Sequence, residues 1–97
     1  MAIVGVAVID LHLPEARSLK DKRRVVKSLL DRLHQRHRVS IAETDHHDLH
    51  QRAELVLAAV GRTDHEVDRL LEAVRSEVER ELGAVLTSFH TESIEMA

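Results

Sequence analysis

The 97-residue chain has no cysteine, tryptophan, tyrosine or asparagine, and Phe89 is its single aromatic residue. Without cysteine there can be no disulfide, iron–sulfur cluster, thiolate zinc site or cysteine nucleophile. Without a set of aromatic rings, base stacking, the usual device of single-strand binders, is not expected. The three glycines, Gly5, Gly61 and Gly83, are isolated, so neither a P-loop nor a GxGxxG turn exists. No apolar run reaches the roughly 18 residues of a membrane span. The first apolar stretch is not preceded by a basic leader or cleavage site, and a cytoplasmic protein without membrane association is expected.

What is present is an aliphatic domain with a divided charge. Hydrophobic residues make up 43% of the chain, enough for one core, and residues 1–97 are expected to form a single domain. The formal net charge of −3 conceals a strong asymmetry. Residues 17–38 hold nine Lys or Arg against two acids, a local +7, whereas residues 39–97 hold five Arg against thirteen acids, a local −8. The basic segment carries Arg17, Lys20, Lys22, Arg23, Arg24 and Lys27. Such a segment points to an anionic partner, RNA first.

Periodicity gives the elements. Ile3–Leu13 is β-branched, apolar on both faces and stopped by Pro14, as expected of a central strand. Ser18 caps a helix with Asp21 three residues on, close to a capping box. Leu19, Val26, Leu29, Leu30 and Leu33 carry the helix to about Gln35 or Arg36. Val39–Glu43 alternates as a short strand. Thr44–Gln51 is a polar interruption, either a loop or one helical turn. Ala53–Val60 is a second long strand, closed by Gly61. Thr63 and Glu66 form another capping box. The stripe Val67, Leu70, Leu71, Val74, Val78 and Leu82 marks a second helix, with Gly83 as its C′ residue. Ala84 to about Ser93 alternates as the last strand. The order βαββαβ predicts an α+β, ferredoxin-like fold: a four-stranded antiparallel sheet with two helices on one face. Two helices cover one face only. The other face, carrying Val4, Val6, Val8, Val56, Ala58 and Val60, is apolar, which predicts a homodimer.

Three constellations could carry chemistry. The basic cluster surrounds a helix N-terminus, where positive charge opposes the helix dipole and backbone N–H groups attract phosphate. It reads either as a phosphate or RNA site or as a solvated helix face. The second is Asp45, His46, His47, Asp48 and His50, flanked by Glu43, Gln51 and Arg52. His46, His47 and His50 are weak metal candidates, since adjacent histidines point apart and no HExxH occurs. Asx-turns would explain the aspartates locally. The preferred reading has Asp45 or Asp48 pairing with Arg52 or the basic helix to fix the loop. Third, Asp10, His12, Ser18 and His90 suggest a triad, but neither a nucleophile turn nor an oxyanion hole accompanies them. No enzyme activity, resident metal or cofactor is expected.

The segments LHLPEARSLKDKRRVVKSLLDRL and VSIAETDHHDLHQRAELVLAAV resemble the YlxP-like family of small bacterial proteins of unknown function. The resemblance covers nearly the whole chain. Its most specific parts are the SLKDKR helix start and the AETDHHDLHQRA stretch, with Ser18, Leu19, Lys20, Lys22, Arg23, Glu43, Asp45, Asp48, Gln51 and Arg52 on motif positions. His50 stands where the family often has tryptophan. The resemblance implies a ferredoxin-like fold. It also implies a role near RNA or the ribosome, because the family's genes often lie among translation and ribosome-maturation genes. No catalytic residue is implied. The expected function is therefore a non-enzymatic RNA- or ribosome-associated protein that docks phosphates. The alternative is a small dimeric interaction or metal-responsive module using the open sheet face or the His/Asp loop.

Overall fold

The structure, a computed structural model, describes residues 1–96. Its elements are β1 (Ala2–His12), α1 (Leu19–Arg36), β2 (Val39–Asp45), β3 (Arg52–Gly61), α2 (Asp64–Glu79) and β4 (Val85–Met96). The sheet order is β2-β3-β1-β4, with every neighbouring pair antiparallel. This is the ferredoxin-like arrangement that the alternation of patterns predicts, with β1 central.

Strand alternation sorts the side chains. Ile3, Ala7, Ile9 and Leu11 of β1 and Ala53, Leu55, Leu57 and Ala59 of β3 are buried beneath the helices. Val26, Leu29 and Leu33 of α1 and Val67, Leu71, Val74 and Val78 of α2 complete one aliphatic core. Polar groups at the helix ends tie the two halves together: Arg32 of α1 pairs with Glu81, just past α2, and Nε2 of His37, the C-cap of α1, lies 3.2 Å from Oε1 of the buried Glu77 of α2. The opposite set, Val4, Val6, Val8, Val56 and Ala58, lies half-buried on the open face, and Val60 beside it is 65% exposed.

The differences from the sequence reading lie at element ends. β2 and β3 each run further toward their connection, β2 to Asp45 because it pairs with Glu54 past a bulge, and β3 from Arg52 because it pairs with His12 of β1. β4 continues to Met96, paired along the whole of β1. α2 ends at Glu79, so Leu82 is not part of its stripe and is fully exposed. Gly83 is not a left-handed C′ residue. Instead the chain passes close to α1 there, and a Cβ on Gly83 would sit 3.1 Å from Val25 Cγ2.

Two β-bulges interrupt the sheet. One separates Glu43 from Asp45 on β2, beside Glu54 of β3. The other falls on β4 beside Asp10 and Leu11 of β1, where the Thr87 hydroxyl donates to the Asp10 carbonyl at 3.0 Å. Asp10 and Glu54 are themselves cross-strand partners. Both irregularities thus flank one row of the sheet.

Candidate functional site: a basic helix face and its locked loop

The first turn of α1 is built as its sequence requires. Ser18 Oγ accepts the Asp21 N–H at 3.1 Å, and Asp21 Oδ2 accepts the Arg17 N–H at 2.9 Å. Asp21 thereby places a carboxylate at the helix N-terminus and partly occupies the region where backbone N–H groups would attract a phosphate. The charge that this corner offers to solvent is therefore that of side-chain cations more than that of the helix end.

Those cations do not form one set. Arg17, Lys20, Arg23, Arg24 and Lys27 are exposed, but Lys22 is only 1% exposed. Its ammonium group donates to the His46 carbonyl at 2.6 Å and the Arg52 carbonyl at 3.1 Å, and lies 3.0 Å from Glu43 Oε2. Lys22 is therefore removed from the expected phosphate-contacting group. The signal was available in the sequence: Lys22 lies three residues after Leu19 and four before Val26, within the core-facing stripe. A positive charge in a charge-rich segment reads as surface until its helical phase is counted. Lys27 is partly engaged, since it pairs with Asp31 at 2.9 Å on the exposed face. Arg17, Lys20, Arg23 and Arg24 have no acidic side-chain partner among the described ion pairs.

The loop between β2 and β3 is fixed to α1 and to the β1–α1 connection. The Leu13 N–H donates to the Gln51 carbonyl at 2.9 Å, and His12 Nδ1 lies 3.1 Å from the same oxygen. The Gln51 amide donates to the Pro14 and Ala16 carbonyls, each at 3.3 Å. The expected pairing of Asp45 or Asp48 with Arg52 or the helix is replaced by other contacts. Glu43 is the carboxylate that reaches the helix, through Lys22. Asp45 Oδ1 accepts the N–H of His46, a local bond, and Arg52 takes part through its carbonyl. His46 has φ of 63°, a left-handed conformation uncommon for a residue with a Cβ. The turn lets its carbonyl accept both from Lys22 and from the Leu49 N–H, the latter at 3.0 Å.

Two features border this lock. One is an open depression of about 580 Å³ lined by His12, Asp48, Leu49, His50, Gln51 and Arg52. The other lies on the open sheet face. His46 is not grouped there with His47 and His50; its ring meets Asp10 and Glu54, with candidate ligand atoms all within 4.8 Å of one another. The imagined triad is not assembled: Ser18 serves as the α1 cap, and His90 lies on β4 opposite Val8.

Taken together these contacts define a small ferredoxin-like domain in which a buried lysine holds a polar hairpin loop against the start of the first helix. The chain belongs to the family described as "Protein of unknown function (DUF503)", whose family model matches residues 4–91. It is similar to the uncharacterized protein YlxP of Bacillus subtilis (strain 168), with 36% identity over 84 residues, covering 80% of this chain and 91% of that protein. The two segments that carried the resemblance, SLKDKR and AETDHHDLHQRA, are the two sides of the lysine lock.

Proposed function

We propose that the protein is a non-enzymatic, RNA-associated factor of the cytoplasm, acting in ribosome maturation or translation and docking phosphates through Arg17, Lys20, Arg23, Arg24 and Lys27. The observation that carries this reading is the division of labour within the basic segment. One cation, Lys22, is spent on fixing the loop, while four exposed neighbours have no acidic side-chain partner among the described residues. A rigid helix displays those charges without ordering an arm on binding, which removes an entropic penalty. Arg52 and His50, in the depression next to Gln51, extend the same surface. Interactions of this type position a protein on RNA and read shape rather than sequence.

A filter-binding salt titration with structured RNA tests the proposal. Changing Arg17, Lys20, Arg23 and Arg24 together to Gln lowers affinity. It also flattens the plot of log K against log salt by about 0.7 to 0.9 for each phosphate that is no longer neutralised. Unchanged binding by that variant overturns the reading. The proposal also includes a second copy of the chain on the open sheet face, where Val60, Ile94 and Met96 are exposed beside the half-buried valines. Sedimentation equilibrium tests that part: a dimer mass is expected for the native chain and a monomer for Val60→Asp.

A further inference from the structure

Asp10 and Glu54 face one another directly across β1 and β3 on the open side of the sheet. Like charges in that position repel and destabilise a strand pair. Neither carboxylate belongs to a described ion pair with Lys or Arg, and Arg52, the next residue on the same face of β3, belongs to none either. The side chain brought to them is that of His46, on the turn that the Lys22 bond holds in place. Thr44, the bulge residue of β2, donates its hydroxyl to Glu54 Oε1 at 2.8 Å and so orients that carboxylate. The bulge on β4 flanks Asp10 on the other side. Bulges re-aim side chains and are over-represented beside functional sites.

We infer that Asp10, His46 and Glu54 form a binding site for a divalent first-row transition-metal ion of the zinc or manganese type. Two carboxylates and one imidazole suit a borderline cation, and the ion's charge relieves the repulsion across the strands. Metal–ligand bonds of about 2.1 Å place neighbouring ligand atoms about 3 to 3.5 Å apart. The three groups, within 4.8 Å of one another, reach that spacing by side-chain rotation. Asp10 and Glu54 lie toward the opposite end of the strand pair from Val4 and Val60, where the second copy is proposed, so water reaches the remaining coordination positions. Thr44 and the Lys22-held carbonyl of His46 are the positioning groups behind the ligands. His47 and His50 are outside the site.

The test uses untagged full-length chain stripped with a chelator. Isothermal titration with Zn²⁺ gives one ion per chain, and Co²⁺ gives a saturable visible spectrum with the same stoichiometry. Asp10→Asn and His46→Asn each weaken binding by more than about tenfold, the loss already seen when groups merely supporting a ligand are removed. Asparagine tolerates the left-handed backbone, so His46→Asn removes the imidazole while sparing the turn. His47→Gln and His50→Gln leave the affinity unchanged. A second readout separates the site from simple packing. Asp10→Asn raises the Tm of the metal-free protein by removing the facing charge, and lowers the Tm gained on adding Zn²⁺. Absence of saturable one-to-one binding overturns the inference. So does binding that survives Asp10→Asn and His46→Asn, or binding abolished by changing His47 and His50.

Discussion

Lys22 and Val67 hold the same place in the two halves of the molecule. Each is the fourth residue after a capping hydroxyl, Ser18 or Thr63, and each is buried to 1% exposure. The caps are also alike. Ser18 Oγ and Thr63 Oγ1 each accept the N–H three residues on at 3.1 Å, and the acid at that position accepts the N–H of the arginine before the cap, Arg17 or Arg62. What differs is the surface each helix meets. Val67 packs on Gly5 of β1 and Gly61 of β3, two positions bare of side chain. Lys22 meets the carbonyls of His46 and Arg52 and the carboxylate of Glu43, which an apolar side chain would leave unsatisfied. Two helix starts with the same local chemistry thus serve different ends. One closes a core, and the other holds a loop.

The largest expected effect comes from making the first half resemble the second. Lys22→Met leaves Glu43 without its counter-charge and two carbonyls without a donor, a loss of about 3 to 5 kcal/mol. That is a large share of the roughly 5 to 15 kcal/mol that holds a domain of this size. Urea denaturation measures it. Adding Glu43→Gln to Lys22→Met costs much less than Glu43→Gln alone, because the two changes break one interaction. Additive losses would separate Lys22 from Glu43.

Next in size is the matching change in the second half. A Cβ on Gly5 overlaps Val67 Cγ1 and comes within 3.2 Å of Leu71 Cδ1, so Gly5→Ala destabilises by about 1 to 3 kcal/mol through overpacking. In the Val67→Ala background the same Gly5→Ala change is tolerated better. Thermal melts of the four proteins in that cycle show whether helix and glycine are matched in shape. The smallest effect belongs to the caps. Ser18→Ala and Thr63→Ala each lose about 1 kcal/mol, and the two losses are similar. A much larger loss at Ser18 would show that its cap also holds the lysine lock in register.

The elements themselves were legible because each depends on short-range pattern. Period-two alternation in Val4–Asp10, helical spacing in Val67–Val78 and the two hydroxyl caps all act within a few residues, and the structure contains them, although Asp21 and Glu66 reach back to the N–H before each cap and do not close a capping box. Element ends were less legible. Leu82 has the right phase for the α2 stripe, yet the Arg80 N–H already bonds to Glu77 and Val78 carbonyls, and the chain turns away before Leu82. The candidate site was legible as two motifs and obscure as an arrangement. Glu43 lies far from Lys22 in sequence, and no local rule distinguishes it from Asp45 or Asp48 as the acid that reaches the helix. Burial decides that choice, since Glu43 faces the helices and Asp45, past the bulge, does not. Likewise Asp10, His46 and Glu54 belong to three separate segments, and only strand register brings them together.

The sequence by itself determined the βαββαβ order, the aliphatic core and the concentration of positive charge on one helix, because patterning and propensity are local properties of the chain. It also marked its family through the two segments that meet at the lock. The tertiary structure alone decided which of those charges reach solvent. A lysine's charge is useful at a surface, but its ammonium can be buried where carbonyls and a carboxylate converge on it. That convergence is made by a strand hairpin 24 to 30 residues away in the chain.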